Sequence, residues 1–137
     1  MQKTGEPFVL QKDGESLEIL GIGHIGDRKQ RPHGEFIQEY ERQTLRRFIK
    51  DCLKNKHDPD LLITHDQPTD SQSGYGAEEI ADVLDQLAFA YYFYGHTGEA
   101  YRQNLANRGI TLSVKIKELE FDRQGKLSEG CMLILEV

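Results

Sequence analysis

Two histidines in this chain stand where short apolar runs stop. Leu61, Leu62 and Ile63 lead through Thr64 to His65, and Tyr91, Tyr92, Phe93 and Tyr94 lead through Gly95 to His96. A short apolar run bounded by turn residues reads as a buried strand. A strand that stops in a polar residue delivers that residue to the rim of a sheet, and in open α/β sheets ligands bind at the carboxyl ends of the strands. Two imidazoles delivered from neighbouring strands can converge on a metal ion or serve phosphate chemistry, because neutral imidazole is the commonest metal-binding side chain. Asp66 directly follows His65 and is placed to touch a metal, to orient a histidine, or simply to make a local turn bond. Gly95 leaves room for close approach of backbone and ion. His24 and Asp27, in the stretch GIGHIGD, could add ligands, although that loop could equally do no more than shape the rim. Arg28, Arg31 and Arg102 could meet a phosphate through a planar fork of donors; the plainer reading of each is a solvated surface arginine. His33 and His57 have no strand-end placement and read as structural.

The elements that must hold these residues are legible as patterns. Phe8 to Gln11 and Leu17 to Ile22 are predicted strands, joined by a turn through Lys12-Asp13-Gly14-Glu15 in which Gly14 is free to take positive φ. Gly21 to Gly34 is too rich in glycine and proline for a long regular element and is expected to be a loop over the rim. Glu35 to Asn55 is a predicted helix. Its stripe runs through Ile37, Tyr40, Thr44, Phe48 and Cys52 with Leu45, Ile49 and Leu53 beside it. Acidic residues come early in it and lysines late, which suits the helix dipole, and Pro59 forbids continuation. Asp66 to Gly76 is a polar loop, and Ala77 to Ala88 a second helix with Ile80, Val83, Leu84 and Leu87 inward. A strand–helix–strand run of this length favours parallel strands. Alternation turns Tyr91 and Phe93 to one face and Tyr92 and Tyr94 to the other. Tyr101 to Leu105, Ile110 to Phe121 and Cys131 to Val137 read as further strands. Val114, Ile116 and Leu119 interleave with charged residues as on a sheet with one wet face.

Bulk properties narrow the function classes. A chain of 137 residues suits one domain, residues 1–137, with a real core. The formal charge of −6 argues against general nucleic-acid or membrane affinity, which need a basic face, but leaves room for a small anionic substrate. No apolar run approaches the length that spans a bilayer. The first residues, MQKTGEPFVL, carry no secretion signal, so a cytoplasmic location is expected. Cys52 and Cys131 form no C-x-x-C pair and are expected to be buried, reduced thiols.

The pair LLITHDQP and YYFYGHTG, separated by the helical segment GAEEIADVLDQL and preceded by ILGIG and an amphipathic helix, resembles the C-terminal half of the calcineurin-like metallophosphoesterases. The resemblance runs from about Leu17 onward. It implies an α/β fold, a partial calcineurin-like β-sandwich: a mixed sheet flanked by two helices, with antiparallel strands at the C-terminal end. It also implies hydrolysis of phosphoesters by two metal ions that activate a bound water and clamp phosphate oxygens. By position His65 and His96 resemble ligands of the second metal. The second histidine of the family's Gly-His-x-His motif falls at Gly98, which has no ligating side chain. The family's earlier motifs, Asp-x-His and Gly-Asn-His, do not occur, and Gly26-Asp27 is the one Gly-Asp pair. Two histidines alone would hold a metal weakly, since catalytic sites supply at least three protein ligands.

These observations support three readings. In the first the chain is a metallophosphoesterase-like protein, incomplete or inactive alone, using manganese or iron by family habit and holding one ion or none in isolation. A small phosphoester or a phosphoprotein would be its substrate, and a separately encoded N-terminal half or another subunit would complete the site. In the second it is a non-catalytic interaction module, prone to form a homo-oligomer through exposed sheet surface. In the third it is a truncated remnant, with Met1 lying just upstream of where the family's second half begins.

Overall fold

The computed structural model describes residues 5–23, 34–69, 77–95, 100–106, 109 and 111–136, and within the first helix the side chains from 41 onward. Among the described residues eight elements follow in chain order: β1 (Phe8–Lys12), β2 (Glu15–Ile22), α1 (Gly34–Asn55), β3 (Leu61–Thr64), α2 (Glu78–Gln86), β4 (Tyr91–Tyr94), β5 (Tyr101–Leu105) and β6 (Thr111–Lys115). The six strands form one mixed sheet in the order β1-β2-β3-β4-β6-β5.

The β1–β2 hairpin closes through Asp13 and Gly14, with Lys12 paired to Glu15 and φ of 52° and 81° at the two turn residues. Positive φ at both positions matches the right-handed twist of the strands, and glycine at the second removes the steric cost. From β2 onward the sheet is parallel. Ile22 pairs with Thr64, Thr64 with Tyr94 and Tyr94 with Lys115, so β2, β3, β4 and β6 share one carboxyl rim. Helices α1 and α2 cross between these strands, which parallel pairing requires. β5 returns antiparallel along the far edge of β6.

Both helices lie on one face. Leu45, Ile49 and Cys52 of α1 join Ile80, Val83 and Leu84 of α2 over Leu20, Ile22, Leu62 and Tyr92 of the sheet. On the opposite face Leu61, Phe93 and Val114 form a smaller cluster, partly covered by Leu133 and Leu135. The expected alternation in β4 is present: Tyr91 stacks near Phe93 on this second face, and Tyr92 on Tyr94 on the helical face. Cys52 and Cys131 are free thiols and buried. Burial, with Glu18, Asp58 and Asp51 nearby, pushes the Cys52 thiol up to about 11, so it stays protonated at neutral pH.

Several expectations need correction. Helix α1 ends at Asn55 as expected, but the stop is made before Pro59 is reached. Lys56 takes φ of 52°, and the His57 N–H bonds back to the Cys52 carbonyl at 3.1 Å, a left-handed cap that needs no glycine here. Leu53 is not part of the inward stripe and is 46% exposed. Ile37 and Tyr40, expected on that stripe, have side chains outside the description. The strand expected over Ile110 to Phe121 stops at Lys115, and Leu119 and Phe121 are exposed. Nor is Cys131 to Glu136 a strand: it lies across the second face, where Leu133 and Leu135 pack without joining the ladder. Hydrophobic alternation is common to a paired strand and to an extended segment laid over a sheet, so pattern alone does not separate them. The wet face expected for β6 is not wet within the strand, because Thr111 and Ser113 are buried.

Candidate functional site at the carboxyl rim

The parallel register lines up the residues that follow the strands. His65 donates its backbone N–H to the Ile22 carbonyl at 3.0 Å, and Ile116 donates to the Tyr94 carbonyl at 2.8 Å. Gly23, His65, Gly95 and Ile116 therefore each stand one residue past their strand's last pair, side by side along the rim. Neighbouring strands lie about 4.8 Å apart. The chain continues from Gly23 into His24 and from Gly95 into His96. Of the predicted site residues, His24, Asp27, Arg28, Arg31 and His96 lie outside the described residues, as does Gly98. His65 and Asp66 lie within them, His65 exposed and Asp66 buried.

The turn that carries these two residues is fixed from below by hydroxyls. Thr64 Oγ1 donates to the Asp66 carbonyl at 2.6 Å and lies 2.9 Å from the Tyr92 hydroxyl, which itself reaches within 3.5 Å of the same carbonyl. With the Thr64 proton committed to the carbonyl, Tyr92 donates to Thr64. Thr64 and Tyr92 are both buried. Burial pushes the Tyr92 phenol well above its ordinary value, with the Thr64 bond working in the opposite direction, and Tyr94 is raised for the same leading reason. Beyond the turn, the Ala77 N–H bonds to the Gln67 carbonyl at 2.9 Å and the Thr69 N–H to the Ala77 carbonyl at 3.2 Å, tying the turn to the start of α2. The Lys115 ammonium lies 3.5 Å from Gln67 Oε1, linking the end of β6 to the same turn.

Thr64, Tyr92 and Lys115 escaped the sequence reading. A signal for the first two was present. Hydroxyls in otherwise apolar buried strands need partners, and alternation puts Thr64 and Tyr92 on the helical face. A Cβ at Gly95 would meet the Ile116 carbonyl at 3.6 Å, an ordinary contact, so packing within the fold does not itself require glycine there.

Among the described residues no group of three or more His, Cys, Asp or Glu side chains comes together to hold a metal ion. His65 and Asp66 do not by themselves make a metal centre.

No helix among the described residues is long and apolar enough to cross a membrane. The family model described as calcineurin-like phosphoesterase matches residues 4–100 of this chain. The match begins ahead of Leu17 and ends before β5, leaving β5, β6 and the C-terminal segment beyond it. Comparison with curated proteins gave no match.

Proposed function

The chain belongs to the calcineurin-like phosphoesterase family, and on that premise we propose that it is a metallophosphoesterase-like domain that contributes part of a phosphoester site and is incomplete as a catalyst alone. The observation that carries this reading is the rim row of Gly23, His65 and Gly95, set by the pairing of Ile22 with Thr64 and of Thr64 with Tyr94. The residues after Gly23 and Gly95 in sequence are His24 and His96.

The family is generally dependent on divalent metal. In this reading His65 and His96 are metal-ligating, His24 and Asp27 are the local candidates to join them, Asp66 supports the histidine or the reacting group, and Arg28 and Arg31 meet the phosphate. The remaining ligands come from a complementing N-terminal half or another subunit, because Gly98 and the missing Asp-x-His and Gly-Asn-His motifs leave the set short.

The test is a manganese titration of the metal-free chain by calorimetry, beside His65→Ala, with an aryl phosphate assay on the same samples. Weak binding lost in His65→Ala, without turnover, is expected. Tight binding with turnover would overturn the incompleteness, and binding unchanged by His65→Ala would overturn the site.

One observation favours a second reading, an interaction module that forms homo-oligomers. On the sheet face away from the helices, Phe8, Leu10 and Ile63 remain 48%, 47% and 44% exposed. Apolar surface of this kind invites association. Sedimentation equilibrium decides it: a monomer across the accessible concentration range would remove this reading.

A further inference from the structure

A groove of about 650 Å³ lies between the β5–β6 edge and the segment that follows residue 127. From its geometry we propose that it binds the body of an organic phosphate or similar amphiphilic anion, and so forms the leaving-group side of the site at the carboxyl rim. The kind of anion rests on the phosphoester reading above; the groove itself does not.

The first support is charge. The chain has 17 basic and 23 acidic residues, yet the groove is lined by the cations Arg102 and Lys117 with Glu129 the one acidic lining residue, while Lys115 reaches toward Gln67 on the helical side. Arg102 pairs with Val114 across the β5–β6 ladder. Directly paired residues share a face, and Val114 belongs to the cluster on the face away from the helices. The arginine therefore stands on the groove's side of the sheet. Lys117 is held 3.0 Å from Glu120, with about a quarter of its side chain exposed.

The second support is the apolar wall. Val114, Ile116, Met132 and Leu133 line the same groove, and Met132 is 63% exposed. Tyr101, paired with Lys115, turns its ring to the helical face and borders the groove only through its backbone side. Cations beside an apolar wall suit an anion attached to an apolar body better than a bare inorganic ion.

The third support is continuity. A shallower depression of about 280 Å³ is lined by Ile63, Thr64 and Gly95 and shares Ile116 and Lys117 with the groove. It runs from the strand that presents His65 to the strand that presents Lys117. A ligand whose phosphate sits at the His65 rim would thus find the groove next to it.

The groove's outer wall is built rather than draped. The Lys117 N–H bonds to the Gly130 carbonyl at 2.9 Å, and the Cys131 thiol donates to the Glu118 carbonyl at 2.9 Å. Gly130 holds φ of 86°, and a Cβ there would stand 2.5 Å from the Ala100 Cβ.

The experiment is an amide NMR titration of the metal-free full chain, in chelator, with 1-naphthyl phosphate and with inorganic phosphate. The same titrations are run on Arg102→Ala, Lys117→Gln and, as a control cation on α1, Arg47→Ala. The expected result has shifts at residues 100–102, 114–117 and 128–133, with tighter binding of the naphthyl ester than of phosphate. Loss of one charged contact should weaken naphthyl phosphate by about fivefold in Arg102→Ala and Lys117→Gln, and leave Arg47→Ala unchanged. Shifts elsewhere, or wild-type affinity in both groove variants, would overturn the proposal. Groove binding by a chain whose manganese binding is unchanged in His65→Ala would uphold the groove and overturn the His65 site of the phosphoesterase reading alone.

Discussion

Thr64 and Tyr92, twenty-eight residues apart, meet through their hydroxyls at 2.9 Å in the interior, and the Thr64 hydroxyl donates a hydrogen bond to the Asp66 carbonyl at 2.6 Å. The turn bearing His65 is thereby tied to the middle of β4 as well as to its own strand. Tyr92→Phe removes one member of the relay and leaves Thr64 on the carbonyl, so a loss of about 1 kcal/mol is expected. Thr64→Val breaks both bonds and leaves the buried Tyr92 hydroxyl only the more distant Asp66 carbonyl as acceptor, at a cost of about 1–3 kcal/mol. Urea denaturation of the two variants checks the order; equal stability of Thr64→Val and the wild type would remove the relay from the account.

The opposite end of the sheet holds a pH-sensitive pair. His57 Nε2 lies 2.5 Å from Glu18 Oε2, and this bond, with the Glu18 charge next, raises the His57 pKa above its ordinary 6.5. A pKa raised in the folded state means that folding favours the protonated imidazole. That stabilisation is present in full below about pH 6.5 and is lost as pH rises through the higher folded value. Thermal melts of the wild type should therefore fall relative to His57→Gln as pH increases through that interval. A difference that stays constant with pH would show that the pair is not coupled to folding.

Two glycines near the rim should respond in opposite ways. Gly130→Ala places a Cβ 2.5 Å from the Ala100 Cβ at a residue with φ of 86°. A loss of about 1–3 kcal/mol is expected from the strained backbone. At Gly95 the new methyl meets the Ile116 carbonyl at 3.6 Å, and Gly95→Ala should change stability by no more than about 0.5 kcal/mol. Chemical denaturation of both variants makes the comparison.

Core and surface leucines separate as sharply. Leu62 is fully buried between the helices and the sheet, whereas Leu119 is 66% exposed. Leu62→Ala should cost about 2–5 kcal/mol, and Leu119→Ala about 0.5 kcal/mol or less. A small effect at Leu62 would mean the first core is less tightly packed than its burial indicates.

By itself the sequence determined the local elements of this protein. The Asp13-Gly14 turn, the apolar stripe of α1 from Leu45 to Cys52, the short runs Leu61–Thr64 and Tyr91–Tyr94, and the inward residues of α2 are all short-range patterns, and they determine their elements because each element must bury one face. The same patterns, with the spacing of the two histidines, carried the family resemblance. Tertiary structure alone decided what depends on pairing over distance. It set Gly23, His65 and Gly95 in one row, since register across four strands is not written in any one of them. It joined Thr64 to Tyr92, placed both helices on one face, and laid Cys131 to Glu136 over the sheet instead of within it. It also gathered Arg102 and Lys117 at a groove in an acidic chain, because cross-strand neighbours such as Arg102 and Val114 are brought together only when β5 folds back on β6.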